Sequence, residues 1–364
     1  MRSVFPLLLS LFLFAKSYGQ HLKPGFDKAE YLDLLKLCAR HGDSNYVKNI
    51  PKPEHASFVY RSPVMGLENR WDLWMRDDQV AILSIRGTTS SMVSWLANLY
   101  AAMVPATGEL QLTSTEKFRY NLADNPRAAV HIGWLVATAY LSKDILPKLD
   151  SLYKAGVREV IVMGHSQGGA IAYLLTAYLY QLQKYHQLPA DIRFKTYCSA
   201  APKPGNLFFA YDYEAMTQGG WACNVVNSAD WVPETPLSVQ TLKDFNKTNL
   251  FAITPGLIKK QKWPMRWGIR YAYNRLNNPS KRLQRRYEKY LGGMVSKQVV
   301  KHLNDFQPPA YYASSDYVRT GNTIVLYADA DYYQHYKDSD QDIFVHHMFE
   351  PYLFLTRKLP DDLR

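Results

Sequence analysis

The five residues Gly164-His165-Ser166-Gln167-Gly168 constrain this chain more than any other stretch. They follow a short apolar run, Val160-Ile161-Val162-Met163, and precede a small-residue, helix-patterned segment from Ala170 to Leu182. A serine flanked in this way at a strand-to-helix turn projects its hydroxyl from the end of a buried strand, because only small residues let strand and helix approach closely. Gly and Ser are each about 7% of residues in proteins, so the bare pentad arises by chance roughly 0.1 times in a chain this long. The strand before and the helix after lower that figure further. The pattern predicts Ser166 as a nucleophile in an elbow formed by Gly164, His165 and Gly168.

Further strand-like runs lie on either side of the pentad. Val80 to Ile85 is almost continuously apolar, as a strand buried on both faces should be, and ends at Arg86-Gly87-Thr88-Thr89. Phe194 to Ser199, Cys223 to Asn227 and Thr323 to Tyr327 read as further strands. Between them, Tyr31 to Ala39 and Val136 to Ala155 have helical spacing, the latter with Pro147 as a predicted kink or break. Strands alternating with helices predict an α/β fold, a mainly parallel sheet with helices on both faces. From 237 to 320 this rhythm is lost, and the stretch reads as a cap-like insertion into one domain spanning 20–364.

The chain carries 43 Lys and Arg against 32 Asp and Glu, a net charge of +11. That excess is local. Residues 259–301 hold thirteen Lys or Arg and one acid, Glu288, so the remainder is close to neutral. A basic segment on an otherwise balanced chain argues against a nucleic-acid-binding fold. Its cations alternate with Trp263, Trp267, Tyr271, Tyr273, Tyr287 and Tyr290; the plain reading is a solvated helical cap over the site, with a helix at an anionic membrane interface as the alternative. At the start, Arg2 precedes an apolar run from Val4 to Ala15 and the small residues near Gly19. These features predict a cleaved signal peptide over 1–19 and a secreted or periplasmic protein, the run being too short for a membrane span of about twenty residues. Three cysteines without a Cys-x-x-Cys spacing give neither a disulfide framework nor a zinc site.

A serine hydroxyl needs a histidine to take its proton and a carboxylate to orient that histidine. In Ser-first α/β enzymes the acid and the histidine follow in that order. Asp230 comes directly after the strand ending at Asn227 and suits the acid, although turns favour aspartate for other reasons and Asp212 and Asp244 are rivals. Four histidines follow: His302, His335, His346 and His347. The loop before the last helix selects His346 or His347.

Jointly, several motifs resemble the class 3 lipase family, the fungal-lipase-like α/β-hydrolases. Ile85-Arg86-Gly87-Thr88 resembles its Phe-Arg-Gly-Thr/Ser motif, and Val130-His131-Ile132-Gly133-Trp134 its Val-His-x-Gly-Phe segment. Gly164 to Gly169 resembles the Gly-His-Ser-Leu-Gly-Gly elbow, Pro202 to Asn206 the Pro-x-x-Gly-Asn turn, and Asn227 to Pro236 the acid loop. The resemblance implies an α/β-hydrolase fold, Ser166 as nucleophile, Asp230 as acid, and backbone N–H groups of Thr88 and Gln167 as an oxyanion hole. It selects His347 over the alternative His346, because His347 has Tyr352 five residues later, as the family often does. Trp95, Leu96 and Leu99 fall in a lid-like segment. Departures from the pattern are Ile85 for Phe, Gln167 for Leu, Ser94 where an acid often stands, and the long insertion before His347.

The expected activity is therefore hydrolysis of carboxylic esters, chiefly lipid acyl esters, with no cofactor and no metal. Esterase action on soluble or cell-wall esters is the nearest alternative, and a catalytically silent lipid- or protein-binding module is the alternative outside enzymes. The expected partners are an ester substrate and an anionic membrane interface through 259–301. Asp338 to Asp342 alternates acids but lacks the Gly and distal Glu of a calcium loop, and oligomeric state is not encoded in any visible pattern.

Overall fold

Along the strand Glu159–His165, alternate side chains part between two hydrophobic cores: Val160 and Val162 join one, Ile161 and Met163 the other. The same division holds in the neighbouring strand, where Leu83 and Ile85 face one core and Ile82 the other. This period-two partition buries both sheet faces, which is why these strands read as unbroken apolar runs.

The structure, a computed structural model, describes residues 21–42 and 48–361; the expected signal peptide lies outside them. The first half of the chain comprises α1 (Lys28–Ala39), β1 (Ala56–Arg61), β2 (Trp71–Arg76), β3 (Ala81–Ile85), α2 (Met92–Leu99), β4 (Met103–Pro105), β5 (Thr107–Gln111), β6 (Lys117–Asn121), β7 (Ala129–His131) and α3 (Ile132–Lys154). The second comprises β8 (Glu159–His165), α4 (Gln167–Lys184), β9 (Arg193–Ser199), α5 (Leu207–Met216), β10 (Ala222–Asn227), α6 (Leu250–Lys260), α7 (Met265–Tyr287), α8 (Val295–His302), β11 (Asn322–Leu326), α9 (Ala330–His335) and α10 (Phe349–Lys358).

Seven strands form one sheet in the order β1-β2-β3-β8-β9-β10-β11. The first three are antiparallel, and β3 through β11 are mutually parallel. Helices α3 and α4 cover one face and α1 and α10 the other. Register brings Ile85 beside Gly164 and His165 beside Ser199, so β3, β8 and β9 end together. In open parallel sheets ligands bind beyond these carboxyl ends.

The expected α/β fold, a mainly parallel sheet with helices on both faces, thus stands, with differences in detail. The antiparallel pair β1 and β2 escaped the sequence reading because β1 is largely exposed and β2 carries Asp72 and Arg76 among its apolar residues. Pro147 does not split the pattern: α3 is one helix of 23 residues. Pro147 removes the donor to the Lys143 carbonyl, and both residues are exposed, on the solvent side of the helix. The 237–320 stretch, which lacks strand and helix rhythm in sequence, is helical in α6, α7 and α8, with a π-helical turn at Glu288–Met294. Val299, Leu303 and Phe306 at its end join the main core, whereas nearly all of α6 and the first half of α7 are exposed. Among the described residues no helix is long and apolar enough to cross a membrane.

Candidate active site

Ser166 occupies the turn between β8 and α4 with φ 60° and ψ −130°, a conformation disfavoured for a residue with a Cβ. Tight backbone approach holds it there. A Cβ on Gly164 would fall 2.1 Å from the Gly168 backbone, and one on Gly168 would fall 2.3 Å from the Ile85 carbonyl. The Ser166 N–H donates to Ser199 O at 2.9 Å, tying the turn to β9. Ser166 is also the N-cap of α4, so Gln167 opens the helix, where backbone N–H groups have no intrahelical acceptor.

Asp230 and His347 meet across the ends of β10 and α10. The His347 Nδ1 lies 2.7 Å from Asp230 Oδ2, with both residues buried. The same oxygen accepts the Tyr352 hydroxyl at 2.8 Å, and Oδ1 accepts the Val232 N–H at 3.0 Å. Because a carboxylate only accepts, Nδ1 carries the imidazole proton and Nε2 is left as the basic nitrogen. Ser166 and His347 line one cavity of about 1220 Å³ without a hydrogen bond between their side chains. Such contacts commonly tighten only with substrate bound.

His165 ties the His347 loop to the sheet. Its Nε2 donates to the His347 carbonyl at 2.8 Å, so its Nδ1 accepts the Ser199 hydroxyl at 2.9 Å. Ser199 Oγ in turn lies 2.6 Å from the Tyr31 hydroxyl of α1. Burial, and then the neighbouring His347, push the His165 pKa well below the usual histidine range, which keeps this relay neutral.

A second chain of hydrogen bonds sets the other wall. Trp134 Nε1 donates to Asn98 Oδ1 at 3.0 Å, Asn98 Nδ2 to Thr88 Oγ1 at 2.8 Å, and Thr88 Oγ1 to Gln167 Oε1 at 2.8 Å. An indole can only donate, so the direction of the whole chain is fixed by Trp134. It clamps together the two residues whose backbone N–H groups were expected to form an oxyanion hole. Gln167, which stands where Leu is usual, thereby bridges β8–α4 to the loop after β3.

The structure also resolves the rival assignments. His346 Nδ1 is bonded to Tyr332 Oη at 2.8 Å and its Nε2 to Asp338 at 3.1 Å, so neither nitrogen serves Ser166, and His346 is set aside as a base. His302 and His335 are exposed. Asp212 accepts the Asn125 N–H, and Asp244 accepts Thr241 and Ser314, away from His347. In the lid-like segment, which is α2, Trp95 and Leu99 line the cavity while Leu96 packs on the core. Phe344 bridges Trp95, Trp231 and His347 with ring centroids 6.2, 5.6 and 5.8 Å away. The insertion roofs the cavity through Leu283, Arg286, Tyr287, Tyr290 and Leu291. The Tyr31, Ser199 and Asn98 contacts had no sequence signal, since each depends on residues brought together from distant segments.

Residues 82–240 match the family model described as lipase (class 3). No curated protein sequence matches the chain. Among solved structures, the native Rhizomucor miehei lipase propeptide complex matches at 20% identity over 64% of this chain and 73% of that one, with a TM-score of 0.43. Lipase II from Rhizopus niveus matches at 22% identity over 57% and 74%, with a TM-score of 0.42. Lip2 lipase from Yarrowia lipolytica matches at 17% identity over 59% and 77%, with a TM-score of 0.44. In a deletion mutant of the Rhizomucor complex the match spans 62% of the protein, less than two thirds. Residues 82–240, which carry the serine elbow and the acid loop, are thus the part of this chain that is similar to the class 3 lipase family.

Proposed function

We propose that this chain is an exported hydrolase of lipid acyl esters in which Ser166, His347 and Asp230 form the catalytic triad. The observation that carries the reading is the buried 2.7 Å contact of His347 Nδ1 with Asp230, lining one cavity with a serine held in a strained elbow. Ser166 Oγ attacks the ester carbonyl as His347 Nε2 takes its proton, and Asp230 stabilises the imidazolium. The oxyanion rests on the N–H groups of Thr88 and Gln167, in the positive field at the start of α4. Collapse expels the alcohol, protonated by His347, and leaves an acyl-serine. Water activated by the same histidine then releases the acid and restores Ser166.

A lipid substrate is supported by the aromatic and aliphatic lining around Trp95, Trp231, Leu283 and Phe344. Access from an interface is supported by the outer surface of α6 and α7, where Trp263 is 82% and Trp267 65% exposed among the cations of 259–301. Indoles and cations so placed suit head-group depth at an anionic surface. Export rests on the charged, apolar and small-residue sequence of 1–19.

The test is hydrolysis of p-nitrophenyl esters of increasing acyl length, with and without an emulsion. Ser166→Ala is expected to lower kcat by about 10⁴-fold or more. Wild-type rates in that variant overturn the mechanism, and activity confined to short soluble esters overturns the lipid substrate. N-terminal sequencing of the native protein checks export, with a start near Gln20 expected.

A further inference from the structure

One wall of the cavity holding Ser166 carries two arginines that, among the described residues, form no ion pair. Arg70 at the start of β2 and Arg86 after β3 both line it and are half-buried. Neither has a carboxylate partner among the described residues. The carboxylates nearby are already occupied: Asp72, fully buried, takes Arg61 Nε at 2.9 Å and Nη2 at 2.7 Å, and Glu68 takes the Thr89 and Ser91 hydroxyls. Among the described residues, the Arg70 guanidinium donates to the His41 carbonyl alone, at 3.3 Å, and the Arg86 guanidinium to the Glu68 carbonyl alone, at 2.5 Å. The Nε atoms of both are buried with no acceptor. A buried guanidinium without an anion is an unfavourable arrangement on its own. Arg86 is pushed down to about 10, first by desolvation and then by the charge of Arg70, against the opposing pull of Glu68. From the roof, Arg286 adds a third cation to the lining.

We propose that Arg70 and Arg86 form a subsite for an anionic, phosphate-bearing head group, so that the preferred substrate is an anionic phospholipid whose acyl carbonyl lies at Ser166. The inference rests on the hydrolase reading above. A guanidinium fork matches two oxygens of one phosphate, which suits a phosphodiester to a pair of such forks. A cationic substituent beyond that phosphate gains little here, because the cavity is lined by no carboxylate among the described residues. The anionic charge and not the phosphate alone is therefore selected.

The experiment uses three water-soluble lipids of one acyl length: dihexanoylphosphatidylglycerol, dihexanoylphosphatidylcholine and dihexanoylglycerol. For the wild type, kcat/KM on the phosphatidylglycerol is expected to exceed that on dihexanoylglycerol by about tenfold or more, with phosphatidylcholine between them and the gap narrowing at high salt. Arg70→Gln is expected to remove about tenfold of the ratio between the anionic and neutral substrates. Arg70→Lys, which keeps the charge without the fork, should retain part of it; if Arg70→Gln does not fold, the lysine variant carries the test through a lowered ratio. Calorimetric titration of Ser166→Ala and of Ser166→Ala/Arg70→Gln with dihexanoylphosphatidylglycerol measures the subsite without turnover. Tight binding with no hydrolysis of any ester by the wild type would overturn the hydrolase reading and leave the subsite standing. Equal substrate ratios in wild type and variant, or equal affinities in the two titrations, overturn the subsite.

Discussion

The Tyr352 hydroxyl donates to Asp230 Oδ2 at 2.8 Å, the same oxygen that lies 2.7 Å from His347 Nδ1. Tyr352 also accepts the Asn227 N–H at 3.1 Å, so one phenol joins the acid loop after β10 to helix α10. This single side chain holds both the acid and the backbone that carries it.

Tyr352→Phe leaves the Asn227 N–H buried without an acceptor and Asp230 with one donor fewer. Loss of such a contact is expected to lower stability by about 1–3 kcal/mol. We expect kcat to fall by about tenfold as Asp230 loses its fixed position. Urea unfolding and initial rates on a p-nitrophenyl ester check the two effects separately.

His347→Ala and His346→Ala should behave differently. Removing His347 is expected to lower kcat by about 10⁴-fold, as for Ser166→Ala, because members of a triad act as a unit. His346 bonds Tyr332 and Asp338 instead, so its loss should act on stability and leave kcat within about tenfold. The reverse outcome in steady-state kinetics would exchange their roles.

Gly168→Ala is expected to abolish soluble active protein. The added Cβ would lie 2.3 Å from the Ile85 carbonyl, at the junction of β3 and the elbow, where backbone and not a flexible side chain must yield. Overpacking of that kind is expected to destabilise by about 3 kcal/mol or more. A variant with wild-type melting temperature and activity would contradict the close approach of α4 to β3.

Stability should fall as the solution is acidified below about pH 6.5. His41 is pushed down to about 4 and His131 to about 3, both by burial first, and His165 is lowered as well. In the unfolded chain these imidazoles bind protons below about 6.5, whereas the folded protein holds them neutral. The unfolded state therefore binds more protons in that window, and stability rises with pH through it and is fully present above it. Each histidine contributes up to about 1.4 kcal/mol per pH unit, extending down to the lowered folded values. Guanidinium unfolding at pH 7, 6 and 5 should show the decline.

What the sequence by itself determined was local and periodic. The pentad placed Ser166 at a strand-to-helix turn, and that turn is where the structure has it, because the steric demand for Gly164 and Gly168 lies within a few residues of chain. The central strands were legible because both of their faces are buried, which writes an unbroken apolar run into the sequence. Asp230 was legible as the first carboxylate after β10, though not distinguishable there from a turn aspartate. Tertiary structure alone decided the rest. The family resemblance already favoured His347 over His346 through Tyr352, but their contacts turn on one residue of loop register, which hydrogen bonds from Tyr332, Asp338 and His165 set from three separate segments. That Arg70 and Arg86 form no ion pair among the described residues left no mark in the sequence, because pairing depends on where distant carboxylates are spent. Asp72 pairs with Arg61 across the β1–β2 ladder, and pairing across a sheet is a property of the folded chain.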